Sequence, residues 1–445
     1  MRQTIFFIPF FLLISWTPQI DRTLYAQTRA VEASAEIAEE YTWKPVTDVA
    51  PRELSPWEPS CWEPTCLGDE EAVGASDFRL FRAGSRLKFQ GFVESGLYTN
   101  AHGMKSSYGP NSGPHGTGLL DNTGNGPMFG PGLRTTNYNM NQLWGSLTRE
   151  IDHKNGLDWG FQTDFVYGMG AYDVQSFGDE SFDYGWGKGD YGFGIFQLYG
   201  EIGYKKLTAR YGKIACPLGW ENVPSWDNFF STDAYCSNIA PSTFTGAMAN
   251  YQLTDDLQLI GAWTTGAETG FANRYGSQGM LAGLELGLTD KTSVYYYMIQ
   301  GRQKNEDVTD TVDYFIQSLC FEWLPTEKLA YIIEYALNNA NEVGGERLSA
   351  YGINNHLIYS FNDRWALGLR GEWFRDNGVL GYEDFAGDSH HSDYFQTTLG
   401  VNYTPTKNLR IRPEVRYDRA FKNPVFAGGT KNEQISGGFT MLYRF

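Results

Sequence analysis

Charged residues occupy every second position between 409 and 418: Arg410, Arg412, Glu414, Arg416 and Asp418 alternate with Leu409, Ile411, Val415 and Tyr417. Successive strand residues point to opposite faces, so this spacing sets all five charges on one side. Arg370 and Glu372 repeat the pattern, and Arg444 has the same parity near the chain end. Arg370, Arg410, Arg412, Arg416 and Arg444 are therefore expected to form one basic wall. A separate segment, about 216–241, carries Glu221, Asp227 and Asp233 beside Trp220, Trp226, Phe229 and Phe230. Carboxylates held opposite guanidinium groups across water create a field that sorts solutes by charge and dipole. We expect the segment to fold toward the wall and form such a constriction, with an external loop and ordinary lumen salt bridges as the plainer reading.

Bond-making chemistry has few residues to work with. The chain holds no GxSxG and no HExxH, and its 6 histidines are dispersed. Gly187-Lys188-Gly189-Asp190-Tyr191-Gly192 matches GxGxxG in letters only, because a strand follows where the phosphate site needs a helix N-terminus. Asp179, Glu180, Asp183 and Asp190 offer oxygen ligands for Ca²⁺ or Mg²⁺ but read first as a solvated acidic loop. His390-His391 lacks metal-ligand spacing. The expectation is no catalytic residue, no cofactor and no metal.

The elements that position these charges follow from composition. Of 445 residues, 41% are apolar and 16% aromatic, with 51 Gly. Mean hydropathy is −0.41, which excludes a bundle of membrane helices, each needing roughly 20 apolar residues. The aromatic share argues against wholesale disorder. After about residue 45 no long segment has helical period, which leaves a large all-β protein. The net charge of −17 argues against nucleic-acid binding.

Residues 1–26 are expected to be a signal peptide. The apolar run Ile5–Ile14 is too short to span a bilayer, and Leu24-Tyr25-Ala26 suits cleavage. An exported chain without later apolar spans enters a membrane only through strands. Residues 27–85, acidic and rich in Pro and Trp, are expected to be an extended periplasmic segment of unknown role. All 5 cysteines follow the cleavage point. In an oxidising compartment Cys61–Cys66 and Cys216–Cys236 are the pairings nearest in sequence, leaving Cys320 free. Sequence alone does not establish this connectivity.

From about residue 87 to the end, apolar and polar residues alternate. Leu157, Trp159, Phe161, Phe165 and Tyr167 share one face, and Asp158, Gln162 and Asp164 the other. Tight turns sit at Thr254-Asp255-Asp256, Thr289-Asp290-Lys291, Thr326-Glu327-Lys328 and Asn362-Asp363-Arg364. Their spacing of roughly 36 residues suits two tilted membrane-crossing strands plus one turn and one loop. Counting strands from the turns yields sixteen, with short turns and long loops alternating. The predicted fold is a transmembrane antiparallel up-and-down β-barrel over 86–445, apolar side to lipid and charged side to a wet lumen. The loop of about 216–241 is inserted in it.

The last strand ends on Phe445, like the C-terminal signature by which outer-membrane proteins meet their assembly machinery. Pro217-Leu218-Gly219-Trp220-Glu221-Asn222 and Asn228-Phe229-Phe230-Ser231, followed by Thr245-Gly246, resemble the OmpL-like β-barrel porin family of bacterial outer membranes. With the hairpin rhythm and terminal Phe the resemblance covers about 86–445. It implies passive diffusion of small hydrophilic solutes through an outer-membrane barrel, without specifying the solute. Membrane lipid and such solutes are the expected partners, and fold analogy suggests a homotrimer. The alternatives are a barrel-embedded enzyme, such as a lipid hydrolase, and a structural or adhesion barrel without an open pore.

Overall fold

The structure is a computed structural model that describes residues 86–101, 138–152, 156–176, 182–188, 191–271, 276–304, 311–342, 347–379, 392–422, 424, 426 and 430–445. The proposed signal peptide, the segment 27–85, Cys61, Cys66, Asp179, Glu180, Asp190, His390 and His391 lie outside these residues.

Among the described residues sixteen long strands form one closed antiparallel barrel. In order they are β1 Leu87–Asn100, β2 Tyr138–Arg149, β3 Leu157–Gly168, β4 Tyr191–Tyr204, β5 Leu207–Ala215, β6 Thr243–Gln252, β7 Leu257–Ala267 and β8 Gln278–Thr289. The second half comprises β9 Thr292–Lys304, β10 Thr311–Thr326, β11 Leu329–Glu342, β12 Arg347–Asn362, β13 Trp365–Asn377, β14 Ser392–Thr406, β15 Leu409–Ala420 and β16 Glu433–Arg444. Each strand pairs with its sequence neighbours. β16 closes onto β1 in the register Phe92↔Arg444 to Asn100↔Ser436. Phe445 seals that seam through two backbone bonds with Gly91, of 2.9 and 3.0 Å. Closure removes free sheet edges, whose unpaired N–H and C=O groups lipid does not tolerate. A further two-residue strand, Gly187–Lys188, pairs with the start of β4, so the described residues of the GxGxxG match, Gly187, Lys188, Tyr191 and Gly192, lie in strands and not in a phosphate-binding helix.

The turn repeat has a local cause. In each turn the residue before the acid accepts the turn's own amides. Asn362 Oδ1 takes Arg364 N at 2.9 Å and Trp365 N at 3.2 Å. Thr326 Oγ1 takes Lys328 N and Leu329 N at 3.2 and 3.1 Å. Thr289 and Thr254 act likewise on Lys291 N and Asp256 N. Such side-chain acceptors mimic a backbone turn, so Thr or Asn recurs there and the exposed acid beside it adds charge at the surface.

The alternation reads as expected. On β3, Leu157 and Trp159 are 74% and 56% exposed outward, while Gln162 and Asp164 are buried inward. Outward aromatics gather near strand ends, where Trp365 and Tyr403 stack at 4.2 Å. No helix among the described residues is long and apolar enough to cross a membrane. The inner surface has two characters. Its β13–β16 side is charged, whereas β7–β11 contribute Ile260, Leu281, Ile299, Ile316 and Ala336. The hydrophobic core therefore sits inside the barrel, where the loop between β5 and β6 packs Tyr235, Cys236 and Ile239 into this apolar set.

Candidate functional site

The loop between β5 and β6, residues 216–242, is called L3 here. Pro217, Pro224 and Pro241 interrupt it, so its regular structure is limited to single turns at Ser225–Asp227 and Cys236–Asn238. Irregular backbone at membrane depth persists only where protein or lumen water satisfies its polar groups. Here the barrel wall supplies the partners. Asn222 and Asn228 first staple the loop to itself, through Asn222 N to Asn228 Oδ1 at 2.8 Å and Asn228 Nδ2 to Asn222 O at 2.6 Å.

The predicted arginines meet L3 as donors to its carbonyls. Arg412 donates to Ser225 O, Asn228 O and Phe230 O at 2.8, 2.9 and 3.2 Å, and pairs with Glu94 at 2.5 Å. Arg410 donates to Trp226 O at 2.7 Å and lies over the Trp226 ring. Arg416 donates to Asp233 O at 2.6 Å and pairs with Asp418 at 2.7 Å. Arg370 reaches Thr232 O and the Glu221 carboxylate. Arg444 stands over the Trp226 ring at 5.8 Å. Wall carboxylates meet the loop's amides in turn. Glu414 accepts Ser231 N and Thr232 N at 2.6 and 3.2 Å, and Glu372 accepts Tyr235 N and Cys236 N, both at 2.7 Å. The result is an alternation of charge on the strands matched to an alternation of C=O and N–H on the loop.

This arrangement differs from a bare basic wall facing carboxylates across water. Arg370, Arg412 and Arg416 are 0%, 1% and 0% exposed, so L3 lies directly on them. Of the three expected acids, Glu221 alone brings its carboxylate onto one of these arginines. Burial pushes Glu221 up, but Arg370 and then His356 outweigh it and hold the group below the usual carboxylate range. Asp233 contributes its backbone carbonyl instead. Burial raises Asp227 to about 7, against the pull of Arg444 and Arg410.

The expected Cys216–Cys236 bridge is not formed. Cys216, Cys236 and Cys320 are free, buried thiols. The pairing was inferred from proximity in sequence, whereas the loop's course is set by its bonds to the wall. Its base is held by Cys216 N to Ser242 O at 2.9 Å. The double substitution Cys216→Ser/Cys236→Ser is therefore expected to leave non-reducing electrophoretic mobility unchanged; a slower, expanded band would restore the disulfide.

Several participants carry no motif. Gln142 Nε2 donates to Val223 O at 2.9 Å, and its Oε1 accepts Ser225 N at 3.1 Å. Asn402 donates to Phe229 O at 3.1 Å and Asn338 to Ile239 O at 3.0 Å. Glu334 accepts Trp220 N at 3.2 Å. The available signal is parity: Glu94, Gln142, Glu334 and Asn402 fall on inward positions of alternating strands. Asp183 of the acidic loop is already committed, accepting Ser176 N and Ile195 N at 2.8 and 2.9 Å with Lys213 3.7 Å away. Among the described residues no three His, Cys, Asp or Glu converge as a metal site.

A closed sixteen-strand barrel, apolar outside, charged inside and holding an inserted loop, is a porin-like architecture. The chain belongs to the family described as "Putative beta-barrel porin-2, OmpL-like", whose model matches residues 86–445. Among solved structures it is similar to an anion-selective porin from Comamonas acidovorans, at 9% identity and TM-score 0.54, covering 81% of this chain and 99% of that one. OmpT of Vibrio cholerae in its trimer form matches at 13% identity and TM-score 0.51, with 81% and 99% covered. OmpF of Salmonella typhi, in complex with daunomycin, matches at 11% identity and TM-score 0.50, with 83% and 100% covered. None of the curated proteins compared with the chain matches it.

Proposed function

We propose that this protein is an outer-membrane porin through which small hydrophilic solutes diffuse passively past L3. The observation that carries the reading is the polar inner surface. Asn338 Oδ1, Asn402 Oδ1, Ser436 Oγ and both amide atoms of Gln434 point inward with no protein partner. Buried polar atoms are nearly always hydrogen-bonded, so these call for water inside the barrel. Diffusion down a gradient needs neither a catalytic residue nor a cofactor, and the chain is read as non-enzymatic. The arginines serve mainly to seat L3, and the passage runs along the part of the lumen that L3 leaves open. Export by cleavage after Ala26, insertion by the outer-membrane assembly machinery through Phe445, and a homotrimeric assembly complete the proposal.

The test is single-channel recording of the refolded protein in planar bilayers. Discrete open steps with a linear current–voltage relation are expected. A structural barrel without an open pore is the second reading, favoured by the aromatic packing of Phe229, Phe230 and Tyr235 inside the lumen. Folded protein without conductance would establish that second reading over the first.

A further inference from the structure

A cavity of about 110 Å³ lies between L3 and the β2–β4 wall. Trp144, Phe196, Gln162, Gln197, Asp164 and Ser237 are among its lining residues. Asp164 is 2% exposed. Its Oδ2 accepts Gln162 Nε2 at 2.7 Å and Gln197 Nε2 at 2.5 Å, while its Oδ1 has no hydrogen-bond partner. Of the two other carboxylates lining the cavity, Glu221 is paired with Arg370, and Asp227 has Arg444 and Arg410 as its counter-charges. A carboxylate taken from water with only two amides and the Ser146 hydroxyl beside it is costly, and such groups persist where a cation completes them.

We propose that this cavity binds the ammonium end of a small organic amine, with Asp164 Oδ1 as its anion. An ammonium group brings three N–H donors to a site rich in acceptors. Trp144 and Phe196, packed edge to face at 5.1 Å, form an aromatic wall of the kind that favours organic cations. A divalent metal fits poorly, because it needs about six oxygens and among the described residues no three His, Cys, Asp or Glu converge on one point. Only the route by which the amine arrives rests on the diffusion reading; the site itself stands on the cavity and on Asp164.

The probe is butylammonium, with butanol as its neutral counterpart, titrated calorimetrically into the refolded full-length protein in detergent. Saturable binding of butylammonium and none of butanol is expected. Asp164→Asn is expected to raise Kd at least about tenfold, the loss of one charge-assisted bond. Trp144→Leu is expected to raise it about threefold, the size of a modest cation–π contact. Wild-type protein that does not bind the amine, or a folded variant of either kind that binds it unchanged, overturns the proposal. Conductance measured on the same preparation separates the two readings. Binding without conductance removes the diffusion reading and leaves the site, whereas conductance without binding does the reverse.

Discussion

Replacing Arg412 with alanine is expected to unseat L3, lowering the barrel's unfolding free energy by about 3–5 kcal/mol and enlarging its conductance. Arg412 joins three L3 carbonyls, at Ser225, Asn228 and Phe230, to Glu94 on β1 and to Thr440 on β16. Removing it strands the Glu94 carboxylate, 2% exposed, without its partner. Deleting one member of a buried pair typically costs that amount, because the remaining charge stays desolvated. The loop carbonyls then need water instead, and water enters most readily if the loop moves off the wall. Denaturant titration followed by tryptophan fluorescence measures the first effect, and single-channel steps the second. Arg419→Ala is the comparison. This arginine is exposed on the outward side of β15, so its loss is expected to fall within about 0.5 kcal/mol. If the two variants behave alike, the arginine row does not hold L3.

Leu399→Arg is expected to destabilise the barrel by about 2–4 kcal/mol in lipid, the cost of a cation on the lipid face near the bilayer midplane. Leu399 is 52% exposed at the middle of β14. It lies between its outward cross-strand partners Leu369 and Val415. In a water-soluble barrel the same exposed position would accept arginine almost freely. Unfolding in phosphatidylcholine vesicles therefore distinguishes the two environments, and a cost below about 0.5 kcal/mol would contradict a lipid-facing outer surface.

Much of the fold was legible because β-barrels obey a local code. Period-2 alternation assigned Leu157 and Trp159 to one side and Asp164 to the other. The Thr- and Asn-led turns marked the hairpin ends, so sixteen strands could be counted without any tertiary contact. The arginines were placed on one inner wall by the same parity. What they would touch was not legible, since their partners are backbone carbonyls of L3, and every residue type carries a carbonyl. The sequence pattern therefore suggests L3 carboxylates opposite arginines, whereas of the three L3 acids only Glu221 answers one of these arginines with its carboxylate.

The sequence by itself determined the alternation, the turns, the antiparallel hairpins and the charged parity, because each depends on neighbours close in the chain. Tertiary structure decided how the lumen is used. It laid L3 over Arg370, Arg412 and Arg416, kept Cys216 and Cys236 as separate thiols, and left Asp164 facing a small cavity with one oxygen unclaimed. The physical reason is the distance in sequence between the partners. Glu94 and Arg412 are separated by 318 positions, and the barrel's closure brings them within hydrogen-bonding range.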